Sequence, residues 1–457
     1  MQNFEFLIPL TWWQQAIFLA ICVWVVAAAR PEVALAMYLS IASWTRGFLI
    51  GPFAHIWVLL GVMILASLHL ILTGRVKPFV LPPHRRGVLA WLGVWWAWMV
   101  LLFLVFRGDF ESGQWETLYK NTILYTLAPL PVIFALPKEE GRVVSFAWAY
   151  ILASAAGGVF AIQMLNVPFS YLLSDPTAIT RKSFALGIYN YHWFAYQFAY
   201  SLVFIFAMFL YVKNAVLRAL LGALALLCVY FLLLSSSRQS IFGALIALGF
   251  CLLWTLVSGR GAHRLWVGAL ALALLVAGAW IVQQAPDVLR LGLTDGAGRL
   301  DAALIREILQ KRSEVSWDQG VALVPESPVW GLGFSRHYVS HNLFLGTLVD
   351  QGAVGLVFLL GFLFFWLGEA IRAWKTPAPA GLAVWKMAMV AVMVFALAQS
   401  QFSGSPLSEW ALWWSAAFLW CLNGMNAAPQ REPVTVPRRP AMQGATRGSF
   451  VSSQEPR

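Results

Sequence analysis

Hydrophobic positions along this chain come in long blocks separated by short polar breaks. As many as thirteen blocks lie near residues 10–29, 31–50, 54–74, 87–106, 118–136, 143–165, 187–212, 215–234, 239–257, 265–283, 343–371, 382–401 and 408–425. Each approaches the roughly 20 residues that cross a hydrocarbon core as a helix. The block 31–50 is the weakest, because Arg46 interrupts it. The pattern predicts an all-α polytopic membrane protein. The first block carries no basic n-region and no small-residue cleavage site, so it is not expected to be a cleaved signal peptide.

Composition leads to the same class. Hydrophobic residues make up 60% of the 457 positions and charged residues 11%, with 24 Trp. Soluble domains carry roughly 45–50% apolar and about 25% charged residues. Lys and Arg then orient the spans. Arg75, Lys77, Arg85 and Arg86 mark the 75–86 loop as cytoplasmic. Counting onward, the loops with Lys138/Arg142, Lys213/Arg218, Arg260/Arg264 and Arg372/Lys375 fall on that side, as does the tail with Arg431, Arg438, Arg439, Arg447 and Arg457. The loops 107–118, 167–186 and 284–342 then face outward. A cytoplasmic N-terminus would require one of the first three blocks not to span, giving twelve spans; otherwise there are thirteen. The net charge of +11 follows from this bias plus the tail, and implies no nucleic-acid partner. Membrane lipid is the expected surrounding partner.

The expected organisation is a transmembrane domain over 1–426, a loop domain at 284–342 within it, and a disordered basic tail over 427–457. Cys22, Cys228, Cys251 and Cys421 fall inside apolar blocks without paired spacing, and read as small core residues.

The 284–342 stretch is the one long hydrophilic segment between blocks, and loops over about 12–15 residues tend to be functional or disordered. Leu300, Leu304 and Ile308, with Ala303 beside them, predict an amphipathic helix over 299–317. "PESPVWGLGFSRH" (325–337) predicts a turn-rich return. The loop carries Arg290, Arg299, Arg306, Lys311, Arg312 and Arg336, and Arg238 stands in a minimal turn between two apolar blocks. An arginine that close to hydrocarbon is tolerated where it faces a polar cavity or an anion, and its fork matches phosphate oxygens. His337 and His341 lie where the loop becomes the 343–371 block. Asn342 or Ser340 can cap a helix beginning near Leu343. The positive end of that helix keeps a neighbouring imidazole neutral, so His341 is a candidate general base towards a hydroxyl. Gly352 and Gly355, three residues apart, suggest close approach of a second helix. The remaining histidines, His55, His69, His84, His192 and His263, are read as structural.

"HNLFLGTLVDQGAVG" resembles the bacterial O-antigen ligases and O-antigen polymerases. Their motif is His, then Asn, Ser or Gln, then nine residues, then Gly-x-x-Gly; His341, Asn342, Gly352 and Gly355 meet it at full spacing. "RSEVSW" from Arg312, followed by Pro328, Gly331 and Gly333, is similar to the family's Arg stretch and Pro-x-x-Gly-x-Gly turn. "SSSRQS" puts Arg238 in the family's Ser-Arg element, and "GIYNYHWFA" (187–195) is a looser match to its Asn-containing stretch. The resemblance covers roughly residues 180–370.

It implies about twelve transmembrane helices of the GT-C glycosyltransferase class in the bacterial inner membrane, with a periplasmic active site and a cytoplasmic tail. A ligase of this kind moves O-polysaccharide from undecaprenyl diphosphate to a sugar hydroxyl of lipid A–core in lipopolysaccharide biosynthesis, without a cofactor. Arg238 and Arg312 would hold the donor diphosphate and His341 would be catalytic. Arg306, Arg290, Arg336 and His337 are further candidates for phosphate contact, as are Arg181 and Lys182 in the other outward loop. Asp350 could orient a neighbouring group or be structural. No metal site is expected, because Asp109, Glu111 and Glu116 are spread out and form no paired motif. An O-antigen polymerase and a protein O-oligosaccharyltransferase share the motifs. A lipid-linked glycan transporter or channel is the alternative of another class, against which stand the absence of repeated halves and of paired broken helices.

Overall fold

The computed structural model describes residues 8–41, 48–50, 53–74, 83–106, 127–136, 139–164, 191–235, 237–258, 317–333, 342–401 and 410–425. Its helices are α1 (Trp12–Ala27), α2 (Pro31–Ile41), α3 (His55–Leu72), α4 (Pro83–Val105), α5 (Pro129–Ala135), α6 (Glu140–Met164), α7 (Tyr191–Tyr211), α8 (Ala215–Leu234), α9 (Arg238–Ser258), α10 (Asp318–Leu323), α11 (Leu343–Lys375), α12 (Ala380–Ser400) and α13 (Trp410–Met425). Three very short strands, β1 (Ile8–Pro9), β2 (Phe48–Ile50) and β3 (Phe53–Ala54), form a small sheet in that order, parallel then antiparallel.

Seven of these helices, α4, α6, α7, α8, α9, α11 and α12, are long and apolar enough to cross a membrane. The chain is a multi-pass membrane protein. α1 and α3 are shorter apolar helices. α2 is 11 residues, about 16 Å, little more than half of a ~30 Å hydrocarbon core. The block 31–50 therefore does not yield one continuous spanning helix. Prolines 129 and 131 open α5, which runs for 7 residues. The block 265–283, the 299–317 stretch and the 427–457 tail lie outside the described residues.

α7 and α12 occupy the interior: 83% and 67% of their apolar windows are buried, against 17% for α4. α7 packs on α6, α8, α9 and α12, while α12 also packs on α9 and α13. Phe146, Tyr150, Phe204, Trp414 and Phe418 interlock α6, α7 and α13, with Phe146 and Phe418 centroids 4.7 Å apart. Such ring pairs contribute beyond their area burial. Cys22, Cys228 and Cys251 are buried free thiols and Cys421 is half-buried.

Glu32 and Arg142 pair inside the bundle. Glu32 of α2 is fully buried, and Arg142 of α6 donates to both of its oxygens at 3.1 and 3.0 Å and to the Ala29 carbonyl at 2.8 Å. Arg30 reaches the same carboxylate at 3.2 Å. The start of α6, the end of α7 and the start of α12 meet at one end of the bundle, where a Cβ on Gly381 would run into Glu140 and Tyr211. Arg142, Arg218, Arg372 and Lys375 belong to helix termini at this end.

Candidate functional site

The opposite end of the bundle gathers the starts of α7, α9 and α11 around the last turn of α12. At the start of α9, Ser237 and Ser240 are fully buried and their hydroxyls are 2.6 Å apart. The Ser237 hydroxyl is 2.8 Å from Nδ1 of His192, in the first turn of α7. One residue further on, buried Gln239 donates to the Tyr196 hydroxyl of α7 at 2.9 Å. Arg238 opens α9 between these two anchors, so the residue singled out in the short turn sits at a helix start cross-tied to its neighbour. Gly243, in the second turn of α9, packs against Phe395 and Gln399 of α12, where a Cβ would meet the Phe395 ring at 2.9 Å and Gln399 Cβ at 3.6 Å. Gln401, just past α12, accepts from Asn342 Nδ2 at 3.3 Å. The last turn of α12 thus bridges the Arg238 end of α9 to the start of α11.

Asn342 caps α11: its side-chain oxygen accepts from the Phe344 and Leu345 amides, both at 3.0 Å. His341 immediately precedes this cap. His341, His337, Arg336, Arg312, Arg306, Arg290, Arg181 and Lys182 lie outside the described residues.

α11 is broken at Gly352, which has φ +67° and ψ −168°. Only glycine adopts that region without strain. The part beyond the break, residues 353–375, is about 34 Å long and suffices to span; Leu343–Gln351 adds about 13 Å as a separate half-helix. The break frees backbone groups inside apolar surroundings, where each must find a partner. The 327–333 turn supplies them. Leu332 and Gly333 donate to the carbonyls of Val349 and Asp350 at 2.8 and 3.0 Å, while Ala353 and Val354 donate to those of Pro328 and Val329 at 2.9 and 3.3 Å. Gly331 and Gly333 both have φ +80°, and a Cβ on Gly331 would lie 2.5 Å from the Asp350 carbonyl.

This corrects the reading of Gly352 and Gly355 as a shared helical face for a second helix. At Gly352 the helical register ends, and what approaches is the Pro328–Gly333 turn; a Cβ there would collide with the Val329 carbonyl. Gly355 makes room across the break, because a Cβ on it would collide with Cβ of Gln351 in the preceding half-helix. The Gln351 side chain is in turn held by buried Trp95 of α4, whose Nε1 donates to its Oε1 at 2.8 Å. The backbone carbonyl of Asp350 is thus part of the break, and this residue is half-buried.

Sequence reasoning read His192 as structural and gave no role to Ser237, Gln239, Tyr196 or Gln401. The available signal was the polar triplet around Arg238 and the His four residues before Tyr196, both entering apolar blocks. Chemically, the site presents three helix N-termini, which favour anions, together with hydroxyls, amides and an imidazole that can relay a proton. Among the described residues no group of three or more His, Cys, Asp or Glu is placed to hold a metal ion. No protein-family model matches the chain, and no curated protein matches it.

Proposed function

We propose that this protein is a glycosyltransferase of the O-antigen ligase type, which moves a glycan from undecaprenyl diphosphate onto a sugar hydroxyl of lipid A–core at the periplasmic face of the inner membrane. The observation that carries the reading is the convergence of the Arg238 helix start and the Asn342-capped start of the broken helix on one turn of α12. Both helix starts carry elements of the resemblance, Arg238 in one and Asn342 in the other, which supports the reading. The about twelve spans and the GT-C class belong to the same proposal, supported by the apolar blocks and the seven long helices.

In this mechanism Arg238 and Arg312 hold the diphosphate of the donor and stabilise the charge that builds on the departing phosphate oxygen. Their planar forks match two oxygens at once. The acceptor hydroxyl attacks C1 of the donor sugar from the face opposite the leaving group, and His341 takes its proton. The C1–O bond to the diphosphate breaks as the new glycosidic bond forms, so the anomeric configuration inverts. Fixed cations and helix N-termini carry the electrostatics.

The test supplies purified protein with undecaprenyl-diphosphate-linked glycan and, in separate reactions, lipid A–core, a second lipid-linked glycan or a pilin-type protein. Glycan joined to lipid A–core is the expected product. Products formed only with the second glycan or only with protein would replace the ligase by a polymerase or a protein O-oligosaccharyltransferase. Failure of all three, with glycolipid crossing the bilayer of proteoliposomes, would replace the enzyme by a transporter.

A further inference from the structure

We propose that a cavity between α4, α5, α11 and α13 binds an anionic glycerophospholipid, with one acyl chain inside and the phosphate at Arg372. The inference stands independently of the glycosyltransferase reading. The cavity measures about 440 Å³, and its walls are apolar, with Leu92, Trp96, Phe134, Phe362 and Trp413 among them. That volume lies within the range of ligand sites, roughly 300–1,000 Å³.

Its depth matches one leaflet. Along α11 it extends from Phe362 to Arg372, about 15 Å of helix, which is half of a ~30 Å hydrocarbon core. Its polar mouth is formed by Glu369 and Arg372. Glu369 is already engaged on both oxygens: Arg372 Nη1 donates to Oε1 at 2.9 Å and Asn423 Nδ2 to Oε2 at 2.7 Å. Fully buried Lys386 lies within electrostatic reach of the same carboxylate. The Arg372 side chain is half-exposed, and its guanidinium has further donors beyond the one on Glu369. Lys375 follows one turn later. Cations therefore outnumber acids at this mouth, and basic pockets between membrane helices favour anionic headgroups.

The depth of the cavity separates two classes of lipid. A glycerophospholipid places its phosphate outside and an acyl chain of one-leaflet length inside, which matches Arg372 at the mouth and the apolar wall behind it. An undecaprenyl phosphate offers the same charge, but its chain is far longer than this depth.

The experiment uses the full chain, purified and delipidated in detergent, and titrated in native mass spectrometry with phosphatidylglycerol, phosphatidylcholine and undecaprenyl phosphate. One phosphatidylglycerol is expected to bind in preference to both others. Arg372→Gln should weaken it about fivefold, the equivalent of ~1 kcal/mol for one basic residue near a membrane surface. Ala416→Phe should abolish it by filling the cavity. Phosphatidylglycerol carrying a photoreactive acyl chain should label residues 362–372 and 413–420 of the unaltered protein, whatever the folding yield of the variants. Equal binding of phosphatidylcholine, displacement by undecaprenyl phosphate, or labelling confined to other helices would each overturn the proposal.

Discussion

Replacing Gly352 by Ala tests the break in α11 directly. The backbone there, at φ +67° and ψ −168°, lies in a region that costs a non-glycine residue about 1–3 kcal/mol. The new methyl group would also collide with the Val329 carbonyl, forcing the Pro328–Gly333 turn to withdraw. That turn holds the broken helix through four backbone bonds, at 2.8, 3.0, 2.9 and 3.3 Å. At a net ~0.5–1.5 kcal/mol each, losing all four adds about 2–6 kcal/mol, for a total of about 3–9 kcal/mol. The turn should therefore detach even where the bundle survives. Hydrogen exchange of the detergent-purified variant should show loss of protection in peptides covering 328–333 and 349–355, with α7 and α12 unchanged, and a lower melting temperature. Gly368→Ala, in the same helix but with open space around the added carbon, is the control and should melt like the unaltered protein. Equal protection and equal melting in the two variants would refute the account of Gly352 as a hydrogen-bonded break.

Other changes probe the neighbouring contacts and the proposed chemistry. Trp95→Phe should cost about 1–3 kcal/mol by leaving the buried Gln351 amide without its partner, and adding Gln351→Leu should restore most of it; additive losses would mean that the bond carries no stability. Glu32→Gln should cost about 3–5 kcal/mol because the Arg142 guanidinium stays buried without its counter-charge, read as loss of folded protein in thermal melts of purified samples. His341→Ala should lower glycan transfer by about 10²–10⁴ and His337→Ala by far less, with the reverse order in a purified assay pointing to His337 as the base. Transfer should persist in excess EDTA with metal-stripped substrates; activity that collapses and returns on adding Mg²⁺ would direct attention to Asp109, Glu111 and Glu116.

Much of the fold could be read from the chain because membrane helices are written in block length. The blocks at 87–106, 215–234, 239–257 and 382–401 correspond closely to α4, α8, α9 and α12. The Asn342 cap was legible for a local reason: a short polar side chain directly before an apolar run has its own helix amides as nearest donors. Gly352 was misread because two glycines three residues apart look the same whether the helix continues or breaks. The deciding information lay some twenty residues upstream, in a turn whose amides pair with the gap. The tie between His192 and Ser237 joins two helices 45 positions apart in sequence, and the polar residues entering each apolar block do not say which will pair.

The ion pair between Glu32 and Arg142 has a consequence for biogenesis. The two residues are separated by 110 positions, so the carboxylate leaves the ribosome long before Arg142, with only the half-exposed Arg30 beside it. Until α6 emerges, α2 has a charge that hydrocarbon rejects and too few apolar residues to offset it. It is therefore obliged to wait at the water boundary and to enter only with α6, which makes α2 a late arrival in assembly despite being made early. A nascent chain stopped before Arg142 would leave this carboxylate with Arg30 alone, a mark by which a membrane protease could distinguish unfinished copies from finished ones.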